Sequence, residues 1–106
     1  MATIVFIGST AYQRKMIGEG ALLTAKGHRV LYPVFDNYSE LGELEICIQN
    51  REMIEQADEV YVMWDGRSMG TVFDLGMAFA LRKKVKVVYI NPKSFRNLIH
   101  QMETKE

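Results

Sequence analysis

The sequence predicts a doubly wound α/β fold: a parallel sheet of about four strands with helices on both faces. Apolar runs of strand length alternate along the chain with segments of helical character. The strands are apolar on both faces rather than on every second residue, as expected of a parallel sheet covered on each side. With 106 residues, 48% of them hydrophobic, the chain suits one domain spanning residues 1–106.

Taken in order, Thr3 to Ile7 is a continuous apolar run and reads as the first strand, ended by Gly8-Ser9-Thr10. A helix is expected from Gln13 to Lys26, stopping at Gly27, which suits a left-handed cap. His28 to Tyr32 reads as a short second strand, and Pro33 to Gly42 as an irregular segment with a turn at Asp36-Asn37. A helix from Glu43 to Gln56 places Leu44, Cys47, Ile48 and Ile54 on or near one face. Glu59 to Trp64 is the third strand and Thr71 to Leu81 the next helix. Lys86 to Ile90 is the fourth strand, Asn91-Pro92 a break, and Ser94 to Met102 a last helix before a frayed end.

Right-handed crossovers give the strand order 2-1-3-4, of the flavodoxin-like or Rossmann-like kind. In that order the carboxyl ends of strands 1 and 3 are neighbours where the winding reverses. The Gly8-Ser9-Thr10 loop and the Asp65 to Thr71 loop are therefore expected to line one crevice. The second loop opens a helix, whose first N–H groups lack intrahelical partners and whose dipole is positive there. Ser68, Gly70 and Thr71 suit a phosphate or carboxylate at that place, and Arg67 beside them suits charge-assisted bonds to it.

Composition narrows the ligand. Thirteen Lys plus Arg balance thirteen Asp plus Glu, so no overall field favours nucleic acid polymers or a membrane surface. A small, locally bound molecule fits better. The one cysteine, Cys47, has no partner for an intrachain disulfide and reads as a packing residue. No apolar run approaches the roughly 20 residues a membrane helix needs, and Met1 to Gly8 lacks the pattern of a signal peptide. The chain is expected to be cytoplasmic. No spacing of His, Cys and Asp suggests a metal site, and no cofactor is implied.

The stretch Gln56-Ala57-Asp58, an apolar strand, and then Ser68-Met-Gly-Thr-Val-Phe-Asp74-Leu-Gly-Met-Ala78 resembles the nucleoside 2-deoxyribosyltransferase superfamily. Within it, the chain is most similar to the 2′-deoxynucleoside 5′-phosphate N-hydrolase branch. The resemblance runs from the Gly8-Ser9 loop through Pro92, and residues 50–80 are its specific part. It implies a doubly wound fold, a homodimer or larger homo-oligomer, and hydrolysis or transfer at the N-glycosidic bond of a nucleoside or its 5′-monophosphate. By the same resemblance the carboxylate at position 74 attacks the anomeric carbon, and Ser68 contacts a 5′-phosphate. A carboxylate beneath that carbon suits the chemistry, because bond cleavage builds positive charge on the sugar.

Three positions depart from the family pattern. Asp74 stands where the family usually has glutamate, drawing the carboxylate back by ~1.5 Å. Asn50 falls where a helper aspartate is usual, and Val5 where the hydrolase branch has tyrosine. The candidate site is therefore Asp74 and Asn50 for catalysis, with Gly8, Ser9, Thr10, Asp65, Arg67, Ser68, Gly70 and Thr71 for the ligand. The alternative is a binding module for a nucleotide or sugar phosphate that has lost the chemistry.

Plainer roles are open for several residues. Asp74 either contacts a sugar or complements the positive end of its helix; Ser68 and Thr71 are phosphate ligands or ordinary helix caps. Gly76, Ala78 and Ala80 are read as allowing close helix–sheet packing. Asp58 is read as structural, as are His28 and His100, and Trp64 as packing in the crevice or stacking on a base. Tyr32, Phe35, Asp36 and Tyr38 are candidates for a wall over the base, and Asn97 for reaching a neighbouring subunit.

Overall fold

The computed structural model describes residues 1–34, 40–90, 99, 100, 102 and 103. The elements are β1 (Thr3–Gly8), a 3-10 turn at Thr10–Tyr12, α1 (Gln13–Ala25), β2 (Arg29–Leu31), α2 (Glu43–Gln56), β3 (Glu59–Trp64), α3 (Met69–Ala80) and β4 (Lys84–Ile90). All strand pairs are parallel and the order is β2-β1-β3-β4, as the alternation of elements predicts. Of the helix expected over 94–102, residues 99, 100 and 102 are described and are helical; its other residues lie outside the described residues, as do Phe35, Asp36, Tyr38, the Asn91-Pro92 break, Asn97 and the last three residues.

The two-residue period of β1 explains the double winding. Val5 and Ile7 point to one face and pack with Ile54 of α2 and Ala78 of α3, while Phe6 points to the other and packs on Met16 of α1. Strand β3 repeats this division, with Val60 and Val62 toward α2 and α3 and Met63 toward α1. Burial on both faces stabilises by roughly 1.5–3 kcal/mol for each large side chain. Tyr32 belongs to the α1 side, where it stacks on Phe6 with ring centroids 5.9 Å apart. It does not join the cleft described below, contrary to its reading as part of a wall over the base.

Boundaries differ from expectation where long-range pairing overrides local pattern. Strand β4 starts two residues early, at Lys84, because Lys84 is in register with Glu59 and forms an ion pair with it at 3.3 Å. Helix α3 starts at Met69, with Ser68 as its N-cap. It ends at Ala80 with Leu81 as its C-cap and Arg82 in the left-handed region at φ 58°, where glycine is usual. The expected stop of α1 at Gly27 is found, with φ 94° and its N–H donating to the Thr24 carbonyl.

Short tethers hold the strand starts. The Asp58 carboxylate accepts from the Thr3 N–H at 2.8 Å while the Asp58 N–H donates to the Thr3 carbonyl at 2.7 Å, giving Asp58 the structural place expected of it. His28 Nδ1 accepts from the Ala2 N–H at 3.0 Å. Lys83 Nζ donates to the carbonyls of Glu55 and Ala57, serving the carboxyl end of α2, a cap no local pattern in the sequence announces.

Candidate active site

The site forms where β1 and β3 end side by side. Gly8 pairs with Met63, and a Cβ on Gly8 would run into the Met63 carbonyl and the Met16 side chain, so the two strand ends meet closely only with glycine there. Ser9 continues the pairing through its N–H to the Met63 carbonyl at 3.0 Å. Its buried Oγ accepts from the Asp65 N–H at 3.1 Å.

Asp65 organises the second loop. Its Oδ1 accepts from the N–H groups of Arg67 and Ser68, both at 2.9 Å, an Asx turn that leads the chain into α3. Burial pushes its carboxyl up, but the N–H groups of Ser68 and Arg67 and the Ser9 hydroxyl outweigh that and hold it below its ordinary value. The Trp64 indole N–H donates to the Ser68 carbonyl at 3.0 Å, and its ring packs against the core on the α2 and α3 side. Trp64 thus braces the loop. Ser68 Oγ accepts from the Thr71 N–H at 3.4 Å and lies 3.1 Å from Thr71 Oγ1, an N-cap arrangement.

Helix α3 is unevenly used. A Cβ on Gly70 would meet only Ser68 Oγ, at 4.0 Å, so packing does not require glycine there, and its bare backbone leaves room at the helix start. Gly76 likewise has nothing within 4 Å of a Cβ and lies on the exposed face with Ala80. Their expected part in helix–sheet packing is therefore corrected, because those positions point away from the sheet. Ala78, fully buried, does have that part.

Asp74 is the sixth residue of α3, beyond the first turn where a carboxylate complements the dipole, and the cap is Ser68. It is only 7% exposed. Among the described residues no hydrogen bond or ion pair reaches its carboxylate, and burial pushes its pKa up to about 7. Asn50, 6% exposed on α2, accepts the Val34 N–H on its Oδ1 at 2.9 Å.

These groups share a cleft of about 120 Å³. Asp74 and Asn50 line it together with Gly8 and Thr10 from the first loop and Ser68, Gly70 and Thr71 from the start of α3. A second wall is apolar: Pro33 and Val34 after β2, and Ile46 and Cys47 on α2. Sequence reasoning did not assign that wall; the signal for it was the i, i+1, i+4 spacing of Ile46, Cys47 and Asn50 on one helix face. Ser9, Asp65 and Arg67 do not line the cleft; Ser9 and Asp65 engage each other and the loop backbone, and the Arg67 N–H is bound by Asp65.

The sequence between residues 5 and 105 matches the family model described as nucleoside 2-deoxyribosyltransferase. The chain belongs to that family. Among solved structures, this nucleoside 2-deoxyribosyltransferase family member is similar to a 2-desoxiribosyltransferase from Leishmania mexicana, at 27% identity and a TM-score of 0.67. The match covers 84% of this chain and 65% of that one, so the chain spans somewhat less than two thirds of the Leishmania protein. The CMP N-glycosidase BcmB of Clostridium botulinum is similar in fold, at 19% identity and a TM-score of 0.58, over 98% of this chain and 99% of that one. No curated protein matches. Among the described residues no helix is long and apolar enough to cross a membrane.

Proposed function

We propose that the protein cleaves the N-glycosidic bond of a nucleoside 5′-monophosphate, by hydrolysis or by transfer to a second base, with Asp74 as nucleophile. One observation carries this reading: a carboxylate that is almost fully buried, without a protein partner among the described residues, opens on the same cleft as the start of α3. A phosphate at Ser68, Gly70 and Thr71 would meet the Gly70 N–H, which takes no part in the cap, and the two hydroxyls at the positive end of that helix. An oxygen of Asp74 bonds to the anomeric carbon as the carbon–nitrogen bond breaks; the base leaves with the bonding electrons and takes up a proton. Water or a second base, giving up a proton to balance the one the first base took, then displaces the Asp74 carboxylate from the sugar.

The reading also includes assembly with a second copy. Met69, Val72, Phe73 and Phe79 form an exposed apolar stripe on α3, which supports a homo-oligomer. Light scattering of the purified protein tests it, a monomer at every concentration being the contrary result.

Asn50 favours a second reading, because a carboxamide offers no dissociable proton for the leaving base. In that case the cleft binds a nucleotide and leaves it intact. Incubation with ribo- and deoxyribonucleoside 5′-monophosphates, followed by chromatography for free base, separates the two. Base released by the parent protein and not by Asp74→Ala supports catalysis; intact nucleotide that still raises Tm supports binding alone.

A further inference from the structure

The orientation of the Asn50 carboxamide is determined by its neighbour. The Val34 N–H only donates, so the atom it meets at 2.9 Å is the oxygen, and Nδ2 with its two protons turns away from Val34. Among the described residues nothing accepts from Nδ2, and no side-chain nitrogen or oxygen sealed from solvent lacks a partner. Nδ2 of this nine-tenths buried residue therefore opens on the cleft that Asn50 lines. A buried amide with unused donors calls for an acceptor.

Position narrows what that acceptor is. Asn50 shares its helix face with Ile46 and Cys47 and its hydrogen bond with Val34, all of the apolar wall, whereas the start of α3 lies on the polar wall. A nucleotide bound with its phosphate at α3 lays its flat base against the apolar wall. Resting on the nucleotide reading above, we infer that Asn50 is a specificity-determining residue whose Nδ2 donates to a carbonyl oxygen of the base, selecting bases that carry one over adenine.

The test is isothermal titration of the parent protein and Asn50→Asp with UMP, IMP and AMP. IMP and AMP differ along one edge of the base, where IMP has a carbonyl at position 6 beside a protonated N1 and AMP has an amino group beside an unprotonated N1. Asn50→Asp keeps an oxygen for the Val34 N–H and removes both donors. The expected result is binding of UMP and IMP at least tenfold tighter than AMP by the parent. The variant should lose tenfold or more for UMP and IMP and change much less for AMP; a lower Tm is compatible with this, since a carboxylate replaces a buried amide, but the loss must differ between the nucleotides. Equal loss for all three, or no loss, overturns the inference while leaving the nucleotide reading in place; absence of binding by any nucleotide to the parent overturns both. Should the variant not fold, the parent's IMP to AMP ratio decides, and a ratio near one refutes the assignment.

Discussion

The hydroxyl of Ser9 accepts a hydrogen bond from the Asp65 N–H at 3.1 Å, tying the loop after β1 to the loop after β3 across 56 residues of sequence. Both walls of the polar half of the cleft depend on this tie. Ser9→Ala would leave a part-buried N–H without its partner, and unfolding in urea should show a loss of about 1–2 kcal/mol. Nucleotide affinity should fall as well, since the two loops then lose their common spacing.

The protonation of Asp74 sets a pH dependence with a definite sign. In the folded chain burial holds its pKa at about 7, against an ordinary 3.8. Between these values the folded state carries a proton that the unfolded state has lost, so this contribution is complete below pH 3.8 and disappears as pH rises through about 7. Asp74→Asn should match the parent's stability near pH 4 and exceed it above pH 7, with a ceiling of ~4 kcal/mol. Paired thermal melts across that range measure it. In the proposed reaction the ionised form would be the nucleophile, so kcat/KM should fall about tenfold per unit below pH 7.

Asp74→Glu moves the carboxylate forward by one carbon–carbon bond, ~1.5 Å. If reach limits attack on the anomeric carbon, kcat should rise by about 10- to 100-fold, because errors of about 1 Å in placement cost that much. Single-turnover base release reads this directly. An unchanged or lower rate would mean that the present cleft already brings the sugar to Asp74.

Gly70 separates stability from function. It lies in the first turn of α3 with open space beside it, so Gly70→Ala should stabilise the fold by roughly 0.5–1 kcal/mol through helix propensity. The added methyl intrudes where the proposed phosphate would approach the backbone, and nucleotide affinity should fall tenfold or more. A variant that is both more stable and fully able to bind would remove the start of α3 from the ligand site.

The strand order, α2 and β3 at the expected residues, and the convergence of two loops were all legible in the sequence, because each rests on local periodicity and the handedness of crossovers. The family too was legible in residues 50–80. Only the tertiary structure decided how the polar side chains divide their work. Ser9 and Asp65, read as ligand contacts, engage each other and the loop backbone, whereas Cys47, read as packing, lines the cleft. Asn50 turns its oxygen to Val34, and Asp74, the one buried carboxylate among the described residues, meets no donor there. A hydroxyl or carboxylate in a sequence shows what it is able to bind. Which partner it binds depends on which backbone groups the fold leaves without water, and those come from segments distant along the chain.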